Sequence, residues 1–171
     1  LRKEPKNKLI DYLGWHKQNK DLYFVGLPLL SGRLYGEKKS LIRDIVKKYN
    51  LDLRLTPNQD ILLCNISNKH KLNIKKALSK IGYENLNEIN EIQRHALACP
   101  ALPLCGLAMT EAERILPSIL TRIDDLLKSL NIKKSILFRM TGCPNGCTRP
   151  YMAELALVGS GQNKYQLWLG G

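Results

Sequence analysis

The sequence predicts an α+β protein in which helices cover one face of a mainly antiparallel sheet. Strand-like apolar runs alternate with two amphipathic helical stripes, in the order strand, helix, strand, strand, helix. The 171 residues, 44% hydrophobic and 25% charged, are enough for one large domain or two small lobes. No apolar run approaches the length needed to span a bilayer. The composition is that of an ordinary soluble globular protein.

The first half of the chain contains five predicted elements, each bounded by a turn signal. An apolar run is ended by Pro28, a helical stripe ends at Asn50, and a second stripe stops at Gly82. A proline-led turn joins two further apolar runs. The predicted elements are a strand at 21–30, a helix at 37–49, strands at 51–55 and 61–66, and a helix at 72–81.

The second half begins after a polar stretch, residues 85–91, which suits a boundary between lobes. Thr110 and Glu113 have the spacing of a capping box, which predicts that a helix opens there. The apolar stripe from Ile115 to Leu130 continues this helix, which Pro117 is expected to kink or restart. A strand at 135–140 then leads into a cysteine loop, and residues 154–159 and 165–169 are predicted to form a hairpin.

Lysine-rich composition gives the chain a net charge of +12, concentrated in its first eighty residues. Such a surface attracts anions, although it is equally typical of solvated surface charge. The sequence argues against a nucleic acid as partner, because no zinc finger, helix-turn-helix or aromatic-rich strand pattern accompanies the charge. The start of the chain has neither Met nor the apolar core of a signal peptide, so we expect a piece of a longer protein.

Four of the five cysteines form two pairs, Cys99 with Cys105 and Cys143 with Cys147. Disulfides are disfavoured, because nothing marks the chain as secreted. Structural zinc fits the C-x3-C spacing, but the C-x5-C spacing is wide for a zinc knuckle. Iron–sulfur clusters tolerate uneven spacings. These residues favour a metal centre and leave its identity open, while Cys64, alone in a predicted strand, is interpreted as a small buried hydrophobe.

Two stretches carry a family resemblance, A-C-P-A-L-P-L-C-G-L-A-M-T-E-A-E-R at 98–114 and R-M-T-G-C-P-N-G-C-T-R-P-Y-M-A-E-L at 139–155. Together they closely resemble the sirohaem-containing sulfite and nitrite reductase family, and in particular its ferredoxin-dependent sulfite-reducing members. The shorter motifs S-G-R-L at 31–34, R-L-T-P-N-Q at 54–59 and W-L-G-G at the end support the resemblance. It extends over nearly the whole chain from about residue 21.

The resemblance implies a specific organisation and chemistry. It divides the chain into an N-terminal extension at 1–20, a ferredoxin-like α/β sandwich half-domain at 21–88, and an α+β lobe at 89–171 that binds a 4Fe-4S cluster and sirohaem. The cluster ligands are then Cys99, Cys105, Cys143 and Cys147, and the Cys147 thiolate also ligates the sirohaem iron. Asn145 and Arg149 are candidate sirohaem contacts. Electrons from ferredoxin would support the six-electron reduction of sulfite to sulfide.

The resemblance also sets expectations for what this chain lacks and where it works. The anion-binding residues belong to the family's other, N-terminal half, so no catalytic residue is assigned here and this chain alone is expected to be inactive. The expected location is the cytoplasm, or the plastid stroma of a plant or alga. The alternatives are a ferredoxin-dependent nitrite reductase of the same family and, from another class, a basic nucleic-acid-binding module with a structural zinc site.

Several further residues carry weaker expectations. We interpret Arg54, Thr56, Asn58 and Gln59 as turn-forming rather than cofactor-binding, and His95 as structural; His16 and His70 do not look catalytic. Electrostatic docking of ferredoxin is expected to use basic residues close in sequence to the second cysteine loop or the hairpin after it. The docking candidates are Lys133, Lys134, Arg149 and Lys164.

Overall fold

The structure is a computed structural model that describes residues 12–86 and 88–170. Residues 1–11 of the expected N-terminal extension, Asn87 of the polar boundary stretch and Gly171 lie outside the described residues. We refer to residues 12–86 as the first lobe and to residues 88–170 as the second lobe. Each lobe contains one four-stranded sheet and its own apolar core.

The first lobe is an antiparallel sheet covered on one face by two helices. The strand order is β1-β2-β4-β3, with every neighbouring pair antiparallel. Helix α1 ends where its stripe predicts, with Asn50 left-handed after it. Helix α2 begins four residues before the predicted range of 72–81 and ends two residues before its end. The elements are β1 (Gly14–Lys17), β2 (Leu22–Leu27), α1 (Gly36–Tyr49), β3 (Asp52–Leu55), β4 (Ile61–Ser67) and α2 (Asn68–Ser79).

Branched aliphatic side chains form the core of this lobe. Val25 and Leu27 on β2 and Leu63 on β4 pack against the helix residues Ile42 and Ile74, and all five are buried. Alternation along β4 places these apolar side chains on the helix-facing side. The predicted order of strands and helices in this half is therefore confirmed, together with its antiparallel sheet.

One strand of this sheet was not predicted from the sequence. Strand β1 lies in the stretch expected as an N-terminal extension, and it pairs with β2 from Gly14↔Gly26 to Lys17↔Tyr23. Its four residues include one glycine and two polar side chains, too short a pattern to indicate a strand. Gly26 permits the close approach, because a Cβ there would lie 1.9 Å from the Tyr12 carbonyl oxygen.

The second lobe has a mixed sheet with the order β5-β6-β7-β8. Strand β6 is parallel to both β5 and β7, and β8 returns antiparallel to β7 as the predicted hairpin. Helix α4 covers part of one face, where Leu116 and Leu120 pack on Phe138 and Met140. The elements are α3 (Glu91–Arg94), β5 (Leu97–Ala98), α4 (Leu116–Ser129), β6 (Phe138–Thr141), β7 (Leu155–Gly161) and β8 (Lys164–Leu169).

The predicted capping box is wrong. Helix α4 begins at Leu116, with no side-chain cap and with a proline in its first turn, where the missing N–H costs no hydrogen bond. Thr110 instead donates its hydroxyl hydrogen to the Tyr165 hydroxyl at 2.9 Å, and Glu113 pairs with Arg33 of the first lobe. Pro117 therefore marks the start of the helix rather than a kink inside it. Within the described residues, no helix has the length and apolarity required to cross a membrane.

Candidate functional site

The two cysteine pairs lie on loops that leave the same edge of the second sheet. Strands β5 and β6 are parallel neighbours, so the segments after their carboxyl ends start side by side. We call residues 99–110 the first cysteine loop and residues 141–149 the second cysteine loop. The Cys99 N–H donates to the Met140 carbonyl at 3.1 Å, which carries the strand pairing one residue further.

The Cys99 sulfur is buried between the two loops. It accepts the N–H of Gly142 at 3.2 Å and lies 3.7 Å from the Thr141 hydroxyl oxygen, to which the thiol donates. The Thr141 hydroxyl in turn donates to the Cys143 carbonyl at 3.0 Å. These groups meet because β5 pairs with β6, so that the residues that follow the two strands lie side by side.

Backbone hydrogen bonds also fix the two loops against each other. The Gly142 carbonyl accepts N–H groups from Met109 at 2.8 Å and Thr110 at 3.3 Å. A Cβ at Gly142 would lie 2.6 Å from the Ala101 Cβ and 2.8 Å from the Thr110 carbonyl oxygen. This position therefore requires glycine, because the first cysteine loop occupies the space of a side chain.

The four paired cysteines differ in exposure. Cys99 and Cys143 are buried, Cys105 is partly exposed and Cys147 is exposed, and all five cysteines of the chain are free thiols. In the described part of the chain, no group of three or more His, Cys, Asp or Glu side chains is positioned to hold a metal ion. The structure thus brings the loops together without gathering three sulfurs at single-ion distances.

Large apolar side chains are exposed beside Cys105 and Cys147, which we call the two outer cysteines. Leu104 and Leu107, which flank Cys105, are 66% and 71% exposed. Tyr151 and Met152, which follow the second cysteine loop, are also more than half exposed. Exposed apolar side chains concentrated near reactive groups are typical of a surface that another group or chain covers.

The remaining predicted site residues occupy the second cysteine loop. Asn145 is exposed at its turn. Arg149 has a left-handed backbone with φ 56°, and its Nη2 donates to the Pro57 carbonyl of the first lobe at 3.3 Å. Arg149 therefore ties the end of this loop to the turn between β3 and β4.

That turn also contacts the end of strand β5, through Gln59. The Gln59 side-chain amide donates to the Ala98 carbonyl at 3.0 Å, one residue before Cys99. The turn interpretation holds for Thr56, whose hydroxyl accepts the Asp60 N–H at 3.1 Å. For Gln59, the turn interpretation did not include this contact between the lobes, because no local pattern in T-P-N-Q-D indicates it.

Sequence reasoning also missed Arg139, a buried cation on β6. Its guanidinium donates to the carbonyl oxygens of His95 and Phe138. Burial, with a smaller contribution from the like charge of Arg149, lowers the pKa of Arg139 to about 10, while Glu154 acts in the opposite direction. Arg139 is therefore still cationic at neutral pH. A single arginine in an apolar strand was the available signal.

The other histidines and Cys64 lie outside this region. His95 is buried and its carbonyl accepts from Arg139, which agrees with a structural role. His16 stacks on Phe24, and His70 packs on Tyr49, both in the first lobe. Cys64 is only 4% exposed, and burial raises the pKa of its thiol. The interpretation of Cys64 as a buried hydrophobe is confirmed.

The candidate docking residues separate into two groups. Lys133 and Lys134 precede β6, at the end of the strand opposite the second cysteine loop. Lys164 begins β8 beside Gly161, at the same end of the sheet as the cysteines. Gly159 connects this hairpin to the site, since a Cβ there would lie 2.3 Å from the Gly142 carbonyl oxygen.

Comparisons with known proteins agree with the sequence resemblance. Residues 16–81 match the family model described as the nitrite/sulfite reductase ferredoxin-like half domain. Sulfite reductase [ferredoxin] of Synechococcus elongatus is 48% identical over 176 residues, which cover 100% of this chain and 28% of that protein. The sulfite reductase [NADPH] hemoprotein beta-component of Staphylococcus saprophyticus is 44% identical over 134 residues, covering 78% of this chain and 24% of that protein.

A solved structure shows the same fold. The NirA protein of Mycobacterium tuberculosis superposes with a TM-score of 0.78 at 22% identity, over 98% of this chain and 32% of that one. The chain thus spans about a quarter to a third of the length of the relatives it matches. By its ferredoxin-like half-domain and by the similarity of its whole length to part of a sulfite reductase, the chain belongs to the nitrite and sulfite reductase family.

Proposed function

We propose that the chain is the part of a sulfite reductase that holds a 4Fe-4S cluster and one side of sirohaem. The whole enzyme would reduce sulfite to sulfide, in the cytoplasm or in a plastid stroma. The observation that carries the proposal is the meeting of the two cysteine loops at one sheet edge, with the Cys99 sulfur accepting the Gly142 N–H at 3.2 Å. Backbone N–H groups directed at ligand sulfurs are a general means of setting cluster potentials.

The donor set fits a cluster better than a single ion. Among the described residues, no three of these thiols lie close enough together to hold a single ion. Cys99 and Cys143 are buried, whereas Cys105 and Cys147 are more exposed. Four thiolates around a cubane need this wider spacing, and its binding would draw the outer two inward. Neither cysteine loop contains His, Asp or Glu, so cysteine supplies the strong metal ligands there, and its soft sulfur suits iron–sulfur chemistry.

Arrangement of the outer residues supports a place for sirohaem. We assign Cys147 as the thiolate shared with the haem iron, as the family resemblance implies, and its exposure is consistent with that role. Asn145 and Arg149 on the same loop would contact the macrocycle's polar edge, and Arg149 is held in place by Pro57. When bound, the two groups supply one-electron transfer and an open iron site for the oxyanion.

The protein's own contribution is to orient these ligands and exclude water. Gly142 lets the loops approach closely, and Thr141 holds the Cys99 thiol and the Cys143 carbonyl in one hydrogen-bonded chain. Leu104 and Leu107 would be covered by the N-terminal half of the same polypeptide, which would also provide the sulfite-binding residues. The short span of the relatives that this chain covers supports such a division.

The electron donor is proposed to be ferredoxin, because the relative of 48% identity carries that donor in its name. Other relatives are named for NADPH, so the donor needs its own test. Lys164→Glu in the full-length enzyme should slow reduction by ferredoxin, whereas Lys133→Glu at the far end of β6 should not. Both variants should accept electrons normally from a small neutral dye. The effect of Lys164→Glu on the rate of reduction by ferredoxin should become smaller as salt shortens the Debye length, which is about 10 Å at 0.1 M.

Metal content provides the main test. The full-length protein, purified without oxygen, should contain iron and acid-labile sulfide. Cys99→Ser and Cys143→Ser should each lose the cluster iron, while the matched variant Cys64→Ala should retain it. Zinc without iron in the wild-type protein would instead support a structural zinc site and contradict the proposal.

A second candidate, nitrite reduction, is kept because the matched half-domain is common to nitrite and sulfite reductases. Turnover of the full-length enzyme on the two anions distinguishes them. We expect the larger kcat/KM with sulfite. A clear preference for nitrite would leave the cofactor assignment intact and change the substrate.

A further inference from the structure

Arg139 is a buried cation next to the cysteine loops with no acidic partner. The residue is only 6% exposed, and its guanidinium donates hydrogen bonds to the backbone carbonyls of His95 and Phe138. Among the described residues no carboxylate forms an ion pair with it. Glu154 acts on this charge without forming an ion pair. A buried charge that is paired mainly with carbonyl dipoles is costly, so its place in a core strand calls for a compensating role.

Strand geometry places this charge on the side of the sheet where Cys99 lies. Side chains two residues apart share a face, so Arg139 is on the face of Thr141, whose hydroxyl lies 3.7 Å from the Cys99 sulfur. Leu97, the strand partner of Arg139, is two residues before Cys99. The Arg139 guanidinium donates to the carbonyl of His95, four residues before Cys99. Four residues of strand span about 13 Å, so the guanidinium lies on the order of 10 Å from that sulfur.

The material between the charge and the sulfur is protein rather than water. Thr141, Cys99 and Met140 are all buried, so screening by solvent is limited. At ~10 Å and an effective dielectric constant of ~20, one unit charge changes the equilibrium for adding an electron by about tenfold. Adding an electron makes a cluster more negative, and a positive charge favours that state.

We propose that Arg139 is a fixed, buried cation that raises the reduction potential of the cluster held by the four cysteines. The inference rests on the proposed function, because it requires the cluster. Arg149 and Glu154 also act electrostatically on position 139, with opposite signs. Both are more exposed than Arg139, so their fields at the cluster are more strongly screened.

The test measures the midpoint potential of the cluster in the full-length, cofactor-loaded protein, followed by the electron paramagnetic resonance signal of the reduced form. Arg139→Gln should lower the potential by about 59 mV, the one-electron equivalent of a tenfold change. Arg139→Lys, which keeps the charge, should stay near the wild-type value at neutral pH. The matched control is Arg122→Gln, on the exposed face of α4, which should not shift the potential.

An unchanged potential in an Arg139→Gln protein that contains full iron would overturn the inference. If that variant does not load iron, Arg139→Lys decides, because desolvation lowers the pKa of a buried lysine. Its potential should fall below the wild-type value as pH rises through that pKa. Arg149, Glu154 and His95 face position 139 in both proteins, so their titration is common to both curves.

A lysine variant that follows the wild-type potential from about pH 6 to about pH 11, beyond the ordinary lysine pKa, would also overturn the inference. Absence of iron from the wild-type protein itself is a different result. It would refute the proposed function, and with it the role of Arg139, whereas an unchanged potential in an iron-loaded variant refutes the role of Arg139 alone.

Discussion

The two lobes are stabilised in different ways, although each is a four-stranded sheet with helices. The first lobe buries Val, Leu and Ile side chains between a locally connected antiparallel sheet and two helices. The second lobe buries Ala98, Ala101, Ala112 and Cys99 beside its larger apolar residues, because its loops approach one another by backbone contact. Packing of large aliphatic side chains stabilises the first lobe, whereas close backbone contacts between the cysteine loops contribute to the core of the second.

Charge divides between the lobes in the same way. The first lobe has fourteen Lys and Arg against six Asp and Glu, whereas the second has nine against seven. Most of the excess lies on α1 and α2, which carry nine basic and two acidic side chains. The comparison teaches that the basic surface and the chemical site belong to different parts of the fold, so charge alone does not locate the site.

The largest expected effect comes from the apolar core of the first lobe. Leu63 is fully buried on β4, and Leu63→Ala should lower the free energy of unfolding by about 2–5 kcal/mol. Leu55→Ala, on the exposed strand β3, is the control and should change it by less than about 0.5 kcal/mol. Denaturant unfolding measures both. Equal effects would mean that the first lobe does not depend on this core.

A smaller but more local effect is expected at Gly142 in the second lobe. Gly142→Ala should destabilise the protein by about 1–3 kcal/mol, because the new Cβ meets Ala101 and the Thr110 carbonyl. It should also reduce iron content, since the loops must separate. Gly106→Ala is matched, as nothing lies within 4 Å of a Cβ there. Similar iron content in the two variants would contradict the close approach of the loops.

One hydrogen bond between the lobes, made by Gln59, should contribute still less to the free energy of unfolding. Gln59→Met removes the amide that donates to the Ala98 carbonyl, and we expect a loss of about 0.5–1.5 kcal/mol in unfolding free energy. The exposed Gln162→Met serves as the control. Hydrogen exchange at Cys99 should rise in the first variant alone, and unchanged exchange would show that the lobes do not support each other through Gln59.

The smallest effect is expected at Cys64, the cysteine of the first lobe. Cys64→Val should cost roughly 1 kcal/mol or less, as a near-isosteric core change, and should leave cluster iron unaltered. Because burial raises the pKa of the Cys64 thiol, its thiolate fraction is small and alkylation should be slow near neutral pH. Loss of iron from this variant would identify Cys64 as a ligand.

Sequence patterns predicted elements whose signal is local and missed those that depend on partners. The stripes of α1 and α2 and the β7–β8 hairpin follow from spacing and turn residues alone. Strands β1 and β5 contain four and two residues, and exist because a longer strand pairs with them. The pattern Thr110, Glu113 suggested a cap, but Tyr165 and Arg33 compete for those side chains.

The same distinction applies to the candidate site. Cysteine spacing singled out the two loops, because thiol pairs near turns have few other uses in such a protein. Gln59 and Arg139 could not be found this way, since their contacts involve carbonyls 39 and 44 positions away. An acceptor on the backbone leaves no residue-type signal at the partner position.

The pairing of Cys99 with Gly142 has a consequence for biosynthesis. The two residues are 43 positions apart, and translation at roughly 5–20 residues per second separates their appearance by about 2–9 s. During that interval the Cys99 thiol has neither its N–H donor nor the strand that shields it. The two cysteine loops therefore come together only after β6 has been synthesised, and the proposed cluster would require the first cysteine pair to stay reduced until then.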